Sequence, residues 1–524
     1  MKIFFDSEAF VDSVFNKKTS IALLPADVFS TLKKKHPDFS FWISSYTINK
    51  IDQLFSEPFQ KEIKSELFKI IQNFFSVIPL SKTDFVRALQ SGDFDLENSI
   101  FSQCAKRFNA DLIITNSTDK FNGLNIKSFS LEQFIRGLET NEIKKNIQVP
   151  FIDLNAQHGA VFNDIHDRFM DIIADTGFIL GKHVNEFEKK FARLHGVDYC
   201  VGVSSGTAAL HLALMLLGVG PGDRIIVPVN TFIATAEAVC LCGAEPVFVD
   251  CDQRYNIDIN KIRELLSSRE KQLSKNSKQH QFAGIIPVHL YGQPANMDEI
   301  MSIADEFDLF VVEDCCQAHL AKYKNQPVGK FGECGVFSFY PGKNLGAYGE
   351  AGAIVTNSES LCQRALMYRN HGESQKYHHQ NIGHNYRMAA LQGAVLSEKL
   401  NYLTTWTQKR RANAKLYNNL LKNIKGVQIP TELKNTYCVY HLYVIEIDNR
   451  DKLQSYLQEK GIATGIHYPI PLHRQPAFSQ LEYQKGMFPM AEKTANRILS
   501  LPMYPELTNE QIQYVTEMVK QFFT

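Results

Sequence analysis

The sequence lacks net charge: its 56 Lys and Arg are balanced by 56 Asp and Glu, so no overall field recommends nucleic acid or an anionic membrane as a partner. It also lacks long apolar runs. None approaches the roughly 20 residues that a spanning helix needs, and the short apolar stretch between Lys2 and Asp6 is too brief for a secretory leader. These absences predict a cytoplasmic protein. The ten cysteines show no paired CxxC spacing, which argues against structural zinc and for free thiols in a reducing compartment. At 524 residues, 44% hydrophobic and 21% charged, the chain has the balance of a globular protein and is too long for one core. Two or three domains are expected.

What is present centres on GVFSFYPGKNLGAYGEAGAIVTN, from Gly335 to Asn357. Strand character from Val336 to Phe339 breaks at Pro341-Gly342, Lys343 follows in a glycine-punctuated loop, and a second strand runs from Gly352 to Thr356. An amine attacks a carbonyl only when unprotonated, and desolvation lowers a lysine's pKa. A solvated loop lysine is the alternative.

Two upstream stretches bear on that choice. The strand Tyr199 to Val203 ends in Ser204-Ser205-Gly206-Thr207 and runs into an apolar helix; such a turn presents free N–H groups to an anion such as phosphate, or is an ordinary N-cap. The strand FVVED closes on Asp314, with Gln317 three residues on. At the carboxyl end of a strand in an open α/β sheet an aspartate lies where ligands bind, and buried without a cation it would cost several kcal/mol. His319 reads as a partly buried, satisfied histidine. Phe232, at a strand-to-helix turn, is either core or a stacking platform. Adjacent His378 and His379 diverge and lack a third ligand, so no metal site is expected.

These motifs, in this order from Phe151 onward, resemble the DegT/DnrJ/EryC1/StrS sugar aminotransferases, which use pyridoxal phosphate (PLP) on the aspartate aminotransferase fold. The resemblance implies a large mixed-sheet α/β domain over 150–400 and a small C-terminal α/β lobe over 401–524, including a strand in ATGIHYPIPLH. It makes Lys343 the lysine that carries the cofactor and Ser338, Gly206 and Thr207 its phosphate ligands. Asp314 would hold the pyridine nitrogen protonated, Gln317 reach the ring oxygen and Phe232 stack on the ring. Asn385, of the family's NxR motif, would reach the phosphate bound by the neighbouring subunit, so a homodimer with a shared active site is implied; Arg387 reads as a structural ion-pair partner. His467, His473 and Tyr348 are the candidate substrate contacts. Two departures, Leu320 for a usual glycine and Ala351 within GEGG, bear on loop shape. The implied reaction moves an amino group from an amino acid, L-glutamate in the family, to a UDP- or dTDP-linked keto sugar, with C3 favoured over C4, for glycan biosynthesis. The alternatives are a regulatory or scaffold protein in which PLP is structural, and a bifunctional protein that also cleaves RNA.

The first 138 residues read as a separate small α/β domain, with a polar linker over 139–149. The order resembles a PIN domain, whose clustered carboxylates hold a divalent metal. Asp6 occupies the first acidic position and Asp95 with Glu97 opens a helix, but Asn98 and Lys50 stand where the family has acids. The expectation is therefore a degenerate PIN-like domain used for contact or regulation.

Overall fold

The structure is a computed structural model of the full chain, and it describes residues 2–6, 9–10, 25–36, 39–54, 61–90, 96–108, 110–116, 126–139, 148–270 and 282–524. Contacts divide the chain into two units, Met1–Asn146 and Ile147–Thr524. Among the described residues the first holds five strands: β1 (Lys2–Phe5), β2 (Ser40–Ser44), β3 (Phe75–Ile78), β4 (Leu112–Ile114) and β5 (Lys127–Phe129). They pair in the order β3-β2-β1-β4-β5, all parallel. Its core is phenylalanine-rich, with Phe29 and Phe75 rings 4.9 Å apart and Phe5 and Phe75 5.3 Å apart, edge to face, an arrangement the ring quadrupoles favour.

Asp6 is buried just past the end of β1, where its carboxylate accepts the Thr115 hydroxyl at 2.5 Å. Asp95 and the side chains of Glu97 and Asn98 lie outside the described residues, and Lys50 sits on the helix Ser45–Leu54. A buried acid that the sequence did not single out, Asp84, pairs with Arg107 at 2.7 Å. The expected linker begins where the helix Leu131–Glu139 ends. Its far end is structural: Val149 is fully buried and bridges to Ile462, so this residue belongs to the C-terminal lobe.

The second unit is built on seven strands: β6 (Tyr199–Val203), β7 (Arg224–Pro228), β8 (Glu245–Val249), β9 (Phe282–Ile285), β10 (Phe310–Asp314) and, past a short hairpin of β11 (Lys322–Tyr323) and β12 (Gln326–Pro327), β13 (Cys334–Ser338) and β14 (Gly352–Thr356). Their order is β6-β14-β13-β10-β9-β7-β8, with β14 antiparallel to both neighbours and the other pairs parallel. This is the expected mixed sheet. Runs such as RIIVP and GAIVT are almost wholly buried because helices cover both faces of such a sheet. The register sets Ser338 opposite Gly352 and Gly352 opposite Val203, which brings the Lys343 loop beside the start of the helix Gly206–Leu216.

One boundary and one element differ from the expectation. The helix Ala390–Leu421 runs unbroken for 32 residues through the predicted domain border at 400/401, because buried Leu396, Leu400 and Leu403 keep a helical spacing across it. The expected strand in ATGIHYPIPLH does not form. Pro469 and Pro471 lack the N–H groups a ladder needs, and Gly465 makes only an isolated bridge to Ser500. The strand Ile498–Leu501 pairs with Tyr443–Ile447 instead.

His195, at the end of the helix Lys182–His195, is buried to 1% exposure, and burial pulls its pKa from 6.5 to about 4. A histidine neutral in the fold and protonated in the open chain contributes stability above pH 6.5 that is lost as pH falls through 4. The thermal midpoint is expected to drop progressively from pH 7 to pH 4, and less steeply in His195→Gln. Equal slopes for the two proteins would contradict this.

Candidate active site

Gly206, Asp314, Ser338 and Lys343 gather at the carboxyl ends of β6, β10 and β13, where ligands bind in open α/β sheets. Asp314, the last residue of β10, is 5% exposed. Its Oδ2 accepts from Thr235 Oγ1 at 2.9 Å and its Oδ1 from Cys316 N at 3.1 Å. Each oxygen thus retains a lone pair, and among the described residues no Lys or Arg lies within ion-pair distance of this carboxylate.

Lys343 follows β13 in a turn closed by its own N–H on Tyr340 O at 2.8 Å. The residue is half-buried, and burial pulls its pKa below the ordinary lysine value, against the opposing charge of Asp314. Three histidines feel the Lys343 charge. Burial first, and the Lys343 charge second or third, depress the pKa of His319, His441 and His467, the last to about 4, so all three are neutral near pH 7. His319 meets Ser338 O at 3.0 Å, His441 meets Asn344 Oδ1 at 3.2 Å and His467 meets Ser500 Oγ at 2.9 Å.

The helix Gly206–Leu216 is capped by Ser205, whose Oγ accepts Ala208 N at 3.0 Å, leaving the N–H groups of Gly206 and Thr207 at its free end. A Cβ at Gly206 would stand 2.7 Å from Ser338 Cβ and 3.2 Å from both Ser338 Oγ and Cys316 Sγ. The absent side chain leaves the space in which helix N-terminus and hydroxyl converge. Gly206→Ala is expected to weaken cofactor binding about tenfold or more, since the added methyl tightens a cradle that uses those N–H groups; a cofactor titration followed by absorbance measures it, and wild-type affinity would refute the cradle.

Phe232 keeps 52% of its surface exposed, and its ring lies 5.7 Å from that of Tyr468. Gln317 links the same corner: its Nε2 donates to Tyr468 Oη at 3.1 Å and its Oε1 accepts Tyr291 N at 2.7 Å. The Gln317 amide is therefore committed to two protein partners, a constraint that spacing did not reveal.

Three predicted residues lie elsewhere. Tyr348 turns into a helical core, its hydroxyl on His158 and the Lys399 ammonium 4.5 Å over its ring, and burial raises its pKa to about 12. His473 has a side chain of 0% exposure, paired with Glu492 at 3.0 Å. Neither presents itself to the Lys343 amine, because loop position in the sequence does not say which way a side chain points. Asn385 is exposed and bridges through its backbone to Asn370; Arg387 donates to Asn370 Oδ1 at 3.0 Å. Thr235, Tyr291, Tyr468 and His441 were not singled out from the sequence. Only Thr235 carried a signal, four residues and one helical turn beyond Thr231, whose hydroxyl it meets at 3.1 Å.

A buried Asp with free lone pairs, a glycine-sized gap at a helix N-terminus, an exposed ring and a desolvated amine fit a planar, phosphorylated aldehyde cofactor with a basic ring nitrogen. Comparison with known proteins agrees. The family model for DegT/DnrJ/EryC1/StrS aminotransferases matches residues 162–520. A "pleiotropic regulatory protein" of Geobacillus stearothermophilus is 41% identical over 380 residues, 72% of this chain and 99% of the relative. A UDP-N-acetyl-3-dehydro-alpha-D-glucosamine 3-aminotransferase of Acidithiobacillus ferrooxidans is 41% identical over 378 residues, 72% of this chain and 98% of the relative. Among solved structures, S. venezuelae DesV, in complex with a ketimine intermediate, is 37% identical with a TM-score of 0.67, covering 72% of this chain and 98% of that one. The chain belongs to the DegT/DnrJ/EryC1/StrS family, and it is a pyridoxal-phosphate-dependent aminotransferase.

Proposed function

We propose that the protein transfers an amino group from L-glutamate to C3 of a nucleotide-linked keto sugar, giving an amino sugar for glycan synthesis. The observation that carries this reading is the Lys343 amine, its pKa lowered by burial, beside the buried Asp314 carboxylate. Pyridoxal phosphate, when bound, supplies an electron sink and a carbonyl carbon that carries nitrogen from donor to acceptor. With the cofactor bound, Lys343 Nζ, unprotonated, would carry a proton from the α-carbon of the donor to C4′ of the cofactor and, in the second half of the cycle, from C4′ to the sugar carbon that gains the nitrogen, a transfer that contributes about 10²–10⁴-fold. Asp314 holds the ring nitrogen protonated. Gly206, Thr207 and Ser338 take the phosphate, and Phe232 covers the ring. His467 and Tyr468, brought in from the C-terminal lobe, border the same corner and exclude water from it. Asn385, exposed on its own chain, is the residue that a second copy would offer to the phosphate in a homodimer.

Support for the acceptor comes from the Acidithiobacillus relative, whose name specifies a UDP sugar and position 3. The name of the Geobacillus relative, a pleiotropic regulatory protein, favours a second reading, a regulatory role. One experiment separates them. The purified chain is incubated with L-glutamate and a panel of UDP- and dTDP-linked 3-keto and 4-keto sugars, and products are identified by mass spectrometry. A 3-amino sugar formed in step with 2-oxoglutarate is expected; no amino sugar and no 2-oxoglutarate would leave the regulatory reading standing.

A further inference from the structure

The long helix Ala390–Leu421 carries two buried cations that the reaction above does not use. Lys399 is 2% exposed and Arg410 1%. They stand eleven residues apart, about three helical turns, and so share one face. Buried cations are costly unless held by acceptors. Lys399 Nζ donates to Gly346 O at 2.8 Å and to Gln157 Oε1 at 3.2 Å, with the Tyr348 ring 4.5 Å away. Arg410 donates to the carbonyls of Tyr440, His441 and Met503 at 3.2, 3.3 and 2.8 Å.

Gly346 lies three residues after Lys343 in the same loop, and the loop there is tightly packed: a Cβ at Gly346 would fall 2.2 Å from Pro341 O. The helix grips this loop a second time, through Gln392 Oε1 on Tyr348 N at 2.9 Å. Next to Lys343, Asn344 donates to Val439 O at 3.2 Å and meets His441, whose carbonyl Arg410 holds. Among the described residues no carboxylate forms an ion pair with Lys399 or Arg410. The acid acting on both charges is Glu506, and one of its oxygens, Oε2, is buried without a hydrogen-bond partner. A full positive charge is thus spent on one backbone carbonyl of the Lys343 loop and one amide, where a smaller apolar side chain would fill the space at less desolvation cost.

We propose that Lys399 is a positioning residue for Lys343: its ammonium, anchored on Gly346 O and Gln157 Oε1, fixes the loop that carries the Lys343 amine. This rests on the reading of Lys343 as the reactive amine, and deepens it. Burial holds Lys399 itself at a pKa of about 8, so the anchor is largely charged at neutral pH.

The test uses the full chain stripped of cofactor. Lys343 acylation by a trace amine reagent is followed across pH by peptide mass spectrometry in wild type, Lys399→Met and Lys399→Arg. In Lys399→Met the amine gains solvent and its apparent pKa rises toward the ordinary lysine value; a rise of one pH unit is about tenfold less free amine at pH 8. Lys399→Arg, which keeps charge and donors, is expected to recover most of the wild-type profile. Lys399→Met with a wild-type Lys343 profile and only a lower thermal midpoint would show that Lys399 merely stabilises the fold, and would overturn the proposal. If Lys399→Met does not fold, Gln157→Leu, which loosens the same anchor, decides: a smaller shift in the same direction sustains it and an unchanged profile overturns it. Because the readout needs neither cofactor nor turnover, failure of the aminotransfer reading itself would appear separately, as glutamate that wild-type holoenzyme does not consume.

Discussion

Lys343→Ala is expected to abolish amino transfer, with turnover falling at least about 10⁴-fold, since one substitution removes both the nucleophile and the proton carrier. The physical basis is burial of the lysine. An ordinary lysine is overwhelmingly protonated near pH 7, and burial moves Lys343 toward the free base while the Asp314 charge opposes the shift. In wild type the rate is therefore expected to rise with pH below the ordinary lysine value and then level. Alanine fits the turn, because the contact that closes it, Lys343 N to Tyr340 O, is backbone to backbone. The variant should fold and still bind pyridoxal phosphate, now without a covalent link. Product formation from glutamate and keto sugar, together with the mass of the protein after borohydride reduction, provides the check. Activity within tenfold of wild type, or a reduced protein that still carries the cofactor, would remove Lys343 from its role.

Asp314→Asn is expected to lower turnover by about 10²–10³-fold, the scale of losing one aligned charge-stabilising group in a dry site, while cofactor affinity falls less. Asparagine has nearly the shape of aspartate and can still meet Thr235 Oγ1 and Cys316 N, so packing is preserved and charge alone is lost. A neutral amide cannot hold a proton on a ring nitrogen, and the electron sink weakens. A second effect has a definite sign. The Asp314 charge raises the Lys343 pKa, so its removal should shift the Lys343 acylation profile of the cofactor-free variant to lower pH. Slow turnover with that shift identifies the electrostatic role; slow turnover with a lowered thermal midpoint and no shift would mean that Asp314 acts on the fold.

Much of the second unit was legible in the sequence because its strands are buried on both faces. Continuous runs such as RIIVP, FVVED and GAIVT announce such strands, and the glycines and serines at their ends mark where the chain turns toward a ligand. Gly352–Thr356 forms a strand with the predicted limits. What failed failed for local reasons. ATGIHYPIPLH has the apolar content of a strand, but its prolines withhold donors, and the chain crosses the site irregularly instead. Tyr348 and His473 are engaged by His158 and Glu492, partners 190 and 19 residues away that local sequence does not announce. The 400/401 boundary fell inside a helix because a domain border leaves no mark where one helix serves both lobes.

The first unit shows the same division. Strands alternating with helices foretold a small α/β body, and the structure gives five parallel strands. The burial of Asp6 against Thr115 and the pairing of Asp84 with Arg107 could not be read in advance, since those partners are 109 and 23 residues apart.

By itself, then, the sequence determined the identities that chemistry requires: an amine after a strand, an acid ending another, a glycine opening a helix, in a fixed order along the chain. These follow from local rules of strand, turn and cap. The tertiary structure alone decided which of these groups meet, which histidines stay neutral around Lys343, and that Lys399 and Arg410 lie behind its loop. Register and burial settle such questions, and both depend on residues hundreds of positions apart that come together only when the core closes.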